Sequence, residues 1–123
     1  MKTIKQFEDL RCWQNARQLT TAVYLLDSGK LSMDFSTRDQ FRRAALSIMN
    51  NVAKGFTRFS SKEMIRFFEM AQSSSAEVLS MLHLLEDIGY LDENTCLQLR
   101  EQTELTRNQI FGFIRSINSR RQR

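Results

Sequence analysis

The chain has 123 residues, 41% of them hydrophobic and 26% charged, with a formal net charge of +4 at pH 7. That length suits one domain able to bury a core without disulfides or metal, and the composition excludes a disordered chain. There is no run of about 18 apolar residues to span a membrane, and the opening MKTIKQFEDL lacks the apolar stretch of a signal peptide, so a cytoplasmic protein is expected.

Proline is absent, which permits long helices. Gly29, Gly55 and Gly89 fall where apolar periodicity lapses, the usual place for a left-handed C-terminal cap, and divide the chain into four segments. In the first, Cys12, Ala16, Leu19, Val23 and Leu26 recur at steps of three and four and make one helical face, with Asp9 as the expected N-cap. In the second, Phe41, Ala45, Ile48 and Val52 do the same, and Ser36 with Asp39 resembles a capping arrangement. The third opens on Ser60 with Glu63 at the capping-box position, and its stripe is Met64, Phe68, Ala71, Ser75, Val78, Leu82 and Leu85. The small residues Ser73, Ser74 and Ser75 are expected to permit close helix approach. The fourth starts near Asp92 and carries Leu99, Thr103, Thr106, Ile110, Phe113 and Ile117; Gly112 inside it suggests close backbone packing. Helices near 10–28, 37–55, 61–89 and 93–119, joined by short connections, predict an all-α, antiparallel up-and-down four-helix bundle forming a single domain.

Some apolar residues lie off these stripes: Trp13 and Tyr24 in the first helix, Leu46 and Met49 in the second, Phe111 and Ile114 in the fourth. They fit either a thick core within one chain or a second apolar face covered by neighbouring copies. Asn51, on a shoulder of the second helix, is either a buried amide that fixes register or a surface residue.

Charge is segregated. Residues 38–66 carry net +5, residues 67–110 net −6, and residues 111–123 four arginines and no acid. Arg42, Arg43, Lys54, Arg58, Lys62 and Arg66, with Arg120, Arg121 and Arg123 of the tail, form the candidate nucleic-acid-facing set. Arg43 and Lys54 lie opposite the core; Arg42 borders the apolar flank and could instead anchor an acid of a neighbouring copy. The strip lacks a clear set of stacking aromatics: Phe56 and Phe59 are the candidates, and the alternative is that they pack at the turn between the second and third helices.

Motifs for catalysis are missing. A di-iron bundle needs two Glu-x-x-His units, whereas this chain has one histidine, His83, in HLLEDIG. Cys12 and Cys96 form no Cys-x-x-Cys pair or zinc spacing and read as small buried hydrophobes. There is no glycine-rich phosphate loop or serine-nucleophile turn. A non-enzymatic protein without metal or cofactor is expected.

FEDLRCWQNARQL (Phe7 to Leu19), QFRRAALSIMNNVAKGF (Gln40 to Phe56), SKEMIRFFEMAQSSSAE (Ser61 to Glu77) and DIGYL (Asp87 to Leu91), in that order, resemble the four-helix-bundle family encoded by intervening sequences within bacterial large-subunit ribosomal RNA genes. The family pattern in the second helix reads approximately S-I-P-S-N-I-A-E-G. Ser47, Ile48, Asn51, Ala53 and Gly55 match it, while Met49 replaces the proline, Asn50 the serine, Val52 the isoleucine and Lys54 the glutamate. The resemblance implies a homopentamer, and a more distant group, the accessory variability determinants of diversity-generating retroelements, forms basic pentamers that bind reverse transcriptase and nucleic acid. Two readings follow: an oligomeric RNA-binding scaffold, or a protein-interaction module, with a reverse transcriptase as one conceivable partner, in which the positive strip of one copy meets the acidic strip of the next.

Overall fold

The computed structural model describes residues 4–27 and 29–121, the last as backbone only. A 3-10 turn at Phe7–Asp9 leads into α1 (Arg11–Tyr24), the short α2 (Gly29–Met33), α3 (Phe35–Phe56), α4 (Ser61–Asp87) and α5 (Glu93–Arg121). No strand occurs among the described residues. The four long helices pack in a square in which α1 meets α3, α3 meets α4, α4 meets α5 and α5 returns to α1. Neighbours are antiparallel. The Thr20 hydroxyl donates to the Ala45 carbonyl and Arg42 reaches back to Tyr24, while Ser47 meets Ser74, and Gln72 of α4 donates to the Arg107 carbonyl of α5.

The expected stripes face inward. Ala16, Leu19, Phe41, Ala45, Ile48, Val52, Phe68, Val78, Leu82, Leu85 and Ile110 are at most 1% exposed, so the phase read from spacing is the phase of the core. Each large aliphatic or aromatic side chain buried this way contributes roughly 1.5–3 kcal/mol. Phe68 and Phe113 meet edge to face at 5.1 Å across α4 and α5. Thr103 and Thr106 are fully buried, and their hydroxyls donate one turn back to the Leu99 and Gln102 carbonyls at 2.7 and 2.8 Å, so neither polar group is stranded. Asn51 is buried, and its amide donates to the carbonyl and hydroxyl of Ser47.

Several local expectations are corrected. The first helix stops at Tyr24 rather than near 28, because the chain turns early and α2 delivers Leu31, 3% exposed, into the core. Gly29 therefore opens a helix instead of capping one. Leu10, not Asp9, precedes α1, since Asp9 belongs to the 3-10 turn. Asp34, not Ser36, caps α3, accepting the Thr37 amide at 3.2 Å. Gly55 lies inside the last turn of α3, where it packs against α4. Gly112 is not a close-packing glycine: an added Cβ would meet only an Arg115 guanidinium nitrogen at 4.0 Å. Two predicted caps hold. Ser60 Oγ accepts the Glu63 amide at 3.1 Å, and Gly89, at φ +73°, closes α4 in the left-handed conformation.

Candidate nucleic-acid interface

The turn between α3 and α4 is built from its own polar groups. The Thr57 hydroxyl donates to the Lys54 carbonyl at 2.8 Å and the Arg58 amide to the Gly55 carbonyl at 3.1 Å, satisfying carbonyls that the end of α3 leaves open. Ser60 then caps α4. So short a turn brings Lys54, Arg58, Lys62 and Arg66, all exposed, to one end of the bundle. Arg58 and Arg66 both sit over the Phe67 ring, at 4.4 and 5.7 Å, and Arg66 also pairs with Glu63 at 3.3 Å. Phe67 thus holds two guanidinium groups by cation–π attraction.

Antiparallel packing carries the C-terminal turns of α5 to the same end, so exposed Arg120 joins the cluster. Arg123 and the Arg121 side chain lie outside the described residues. Arg115 of α5, and Lys5 and Arg11 at the start of the chain, add exposed cations there that sequence phase alone did not bring together. The signal that could have found them was the predicted topology: in an antiparallel bundle the start of α1 and the finish of α5 share an end with the α3–α4 turn. The opposite end gathers Asp34, Asp39, Glu86, Asp87, Asp92 and Glu93. Charge segregation along the sequence becomes a net polarity along the bundle axis, with Glu8, Asp9 and Glu63 among the cations of one end and Arg38 and Arg100 paired with Asp39 and Glu86 at the other.

Arg42 and Arg43 stand apart, roughly 17 Å up α3 from Lys54 at 1.5 Å per residue. Arg43 is exposed in a groove of about 500 Å³ between α3 and α4, shared with Asp39 and Glu77. Arg42 is half-buried; it donates to the Tyr24 carbonyl at 3.1 Å and lies over the Tyr24 ring at 4.9 Å. It therefore caps the C-terminus of α1 within its own chain. Phe56 is half-buried against the core, whereas Phe59 is fully exposed.

Of the off-stripe apolar residues, Tyr24, Leu46 and Met49 line one groove of about 360 Å³ between α1 and α3, beside Leu25, itself 75% exposed. Trp13 is buried within the chain, against the edge of Phe7 at 5.1 Å. Ile114 is half-buried against the core, and Phe111 is exposed on α5 beneath Arg107 at 5.6 Å; neither lines that groove. Both cysteines are buried free thiols. Burial pushes the Cys12 thiol up to about 11, and burial followed by the Glu86 charge raises Cys96, the reverse of what an activated nucleophile needs. His83 is exposed on α4, and no group of three or more His, Cys, Asp or Glu residues able to hold a metal occurs among the described residues. No helix among them is long and apolar enough to cross a membrane.

The family model described as 23S rRNA-intervening sequence protein matches residues 8–112. The chain belongs to this family. The match takes in α1 through α4 and most of α5, including the whole α3–α4 turn. The 23S rRNA-intervening sequence fold is also visible in a crystal structure of a protein of unknown function from the S23 ribosomal protein family of Bacteroides thetaiotaomicron. The two superpose with a TM-score of 0.75 over 84% of this chain and 97% of that one, at 15% identity, a likeness of fold alone. No curated protein matches the chain.

Proposed function

We propose that this protein is a non-enzymatic, oligomeric scaffold that binds RNA through the basic end of its bundle. The observation that carries the reading is the convergence of Lys54, Arg58, Lys62 and Arg66 with Arg120 at one pole, where with Lys5, Arg11 and Arg115 they outnumber Glu8, Asp9 and Glu63. Cations so placed raise the electrostatic potential, and so lower the energy of a polyanion, at one surface, and phosphate contacts of this kind supply affinity with slight sequence preference. Membership of a family named for 23S rRNA intervening sequences is in keeping with an RNA partner. Assembly as a closed ring, most simply a homopentamer in the cytoplasm, multiplies the basic surface. The apolar groove of Tyr24, Leu25, Leu46 and Met49 favours association between copies. The same groove supports the second reading, a protein-interaction module whose partner could be a reverse transcriptase.

The test is to change Lys54, Arg58, Lys62 and Arg66 together to glutamine and titrate RNA across a salt series. Removal of four phosphate contacts lowers the slope of log affinity on log salt by about 3. Unchanged affinity and slope remove this pole from the binding surface, and no RNA binding by the unmodified protein favours the interaction module.

A further inference from the structure

Phe59 is the largest anomaly on the surface. It occupies the tip of the α3–α4 turn at 107% exposure, more than any other large hydrophobic residue of the described chain. Isolated exposed apolar residues are common and by themselves mean little. Three features set this one apart. The turn that carries it is held on both sides by the Thr57, Arg58 and Ser60 hydrogen bonds, so the ring is presented by ordered backbone. Its neighbours are cations: Arg58 precedes it and Lys62 follows three residues on. The Arg58 guanidinium lies on Phe67 instead, at 4.4 Å, and Phe56 takes the inward position, so neither the available cation nor the core claims the Phe59 ring.

A flat apolar face ringed by positive charge asks for a ligand that has a flat apolar face and negative charge together. A nucleotide with an unstacked base has both. In a duplex the base faces are already covered by their neighbours, and the cations alone would engage it.

We propose that Phe59 is a base-stacking residue and that the preferred ligand of the basic pole is therefore single-stranded RNA. This deepens the RNA-binding reading and rests on it. Arg58, Lys62 and Lys54 neutralise the flanking phosphates, and Phe59 covers one splayed base.

The experiment uses the full chain, a short fluorescent single-stranded RNA and the duplex of the same sequence, titrated in a salt series, with F59A and F59W as variants. Because Phe59 touches nothing in the core, helicity is expected to stay unchanged. The unmodified protein should bind the single strand more tightly than the duplex. F59A should weaken single-strand binding about tenfold with the salt slope and duplex affinity intact, since stacking and not a phosphate contact is lost. F59W should keep single-strand affinity, and the introduced indole, unlike the buried Trp13, should be quenched on binding. If the unmodified protein binds RNA but F59A binds the single strand equally well, or loses strand and duplex alike, the stacking proposal is overturned while the RNA-binding reading stands. If F59A instead abolishes binding to anionic phospholipid vesicles and leaves RNA untouched, the ring is a membrane contact and the proposal is wrong. Failure of the unmodified protein to bind either RNA overturns both.

Discussion

Gly55 of α3 lies directly against Phe68 of α4: a Cβ at Gly55 would stand 3.0 Å from the Phe68 ring and 3.1 Å from the Phe67 Cβ. Phe68 is held from behind by Phe113, and a Cβ cannot swing aside, so the contact has no easy relief. Overpacking costs about 1–3 kcal/mol, against a gain of roughly 1 kcal/mol from replacing a helical glycine. Gly55→Ala should therefore destabilise the bundle by about 1 kcal/mol and lower Tm by about 5 °C. Gly112→Ala, in open space on α5, should raise Tm by a similar amount. Thermal melts of the two variants with opposite signs check the packing directly.

Arg42 is expected to act on stability and not on RNA. Arg42→Gln loses the bond to the Tyr24 carbonyl and the cation–π contact, a cost of about 1 kcal/mol, while RNA affinity stays within about twofold. A large affinity loss with unchanged Tm would return Arg42 to the binding surface.

At the acidic end the Tyr90 hydroxyl donates to Asp34 Oδ2 at 2.8 Å, tying the α4–α5 turn to the cap of α3. The Tyr90 hydroxyl, followed by the Thr37 amide and hydroxyl, holds the Asp34 carboxyl below the usual carboxylate range. A carboxylate lowered in the fold adds stability above its unfolded pKa, about 3.9, and that stability is lost as pH falls through the lower folded value. Tyr90 is pushed up by Asp34, so its share is present below about 10 and lost as pH rises through the higher folded value. Tyr90→Phe should lower Tm at neutral pH, with the gap from the unmodified protein narrowing at both extremes; a gap independent of pH would mean that the hydroxyl acts through something other than this pair.

Assembly is tested at the groove between α1 and α3. Leu46→Glu with Met49→Glu places two carboxylates on an apolar contact, and light scattering should report a shift from oligomer to monomer with helicity retained. An unmodified protein that is monomeric across micromolar concentrations excludes the ring.

The buried thiols offer a probe of opening. With Cys12 raised to about 11, its thiolate is about a thousandth of the total near pH 8, and a folded protein should resist alkylation until denaturant is added. Prompt modification would mean that the α1 contact opens in the native state.

The helical stripes were legible because burial repeats every three or four residues, and Ser60–Glu63 because a cap acts within one turn. Glycine was ambiguous: the same residue opens α2 at Gly29, packs α3 on α4 at Gly55, ends α4 at Gly89 and fills no special place at Gly112. Only the local φ or a distant neighbour tells these apart. In the sequence Arg42 reads either as one of a basic row or as an anchor for an acid of a neighbouring copy, because its partner, a main-chain carbonyl 18 residues away, has no side-chain signature. The described candidate cations separate into a pole (Lys54, Arg58, Lys62, Arg66 and Arg120) and a flank (Arg42 and Arg43) only once the helices are folded back on one another, and the place of Phe67 beneath two of them has no signature in the spacing.

The axial separation of charge sets a condition on how copies can stand together. In a closed ring whose bundles stand parallel to the rotation axis every member points the same way, so like ends would lie side by side and repel. Dissolved ions shield that repulsion. Ring formation should consequently tighten as salt rises, while the grip on a polyanion slackens, and the two equilibria move in opposite directions along a single axis of ionic strength. A solution dilute in salt would hold loosely joined copies with strong individual attraction for RNA, and a strand threaded across neighbouring poles would itself supply the missing counter-charge, closing the ring around its own cargo.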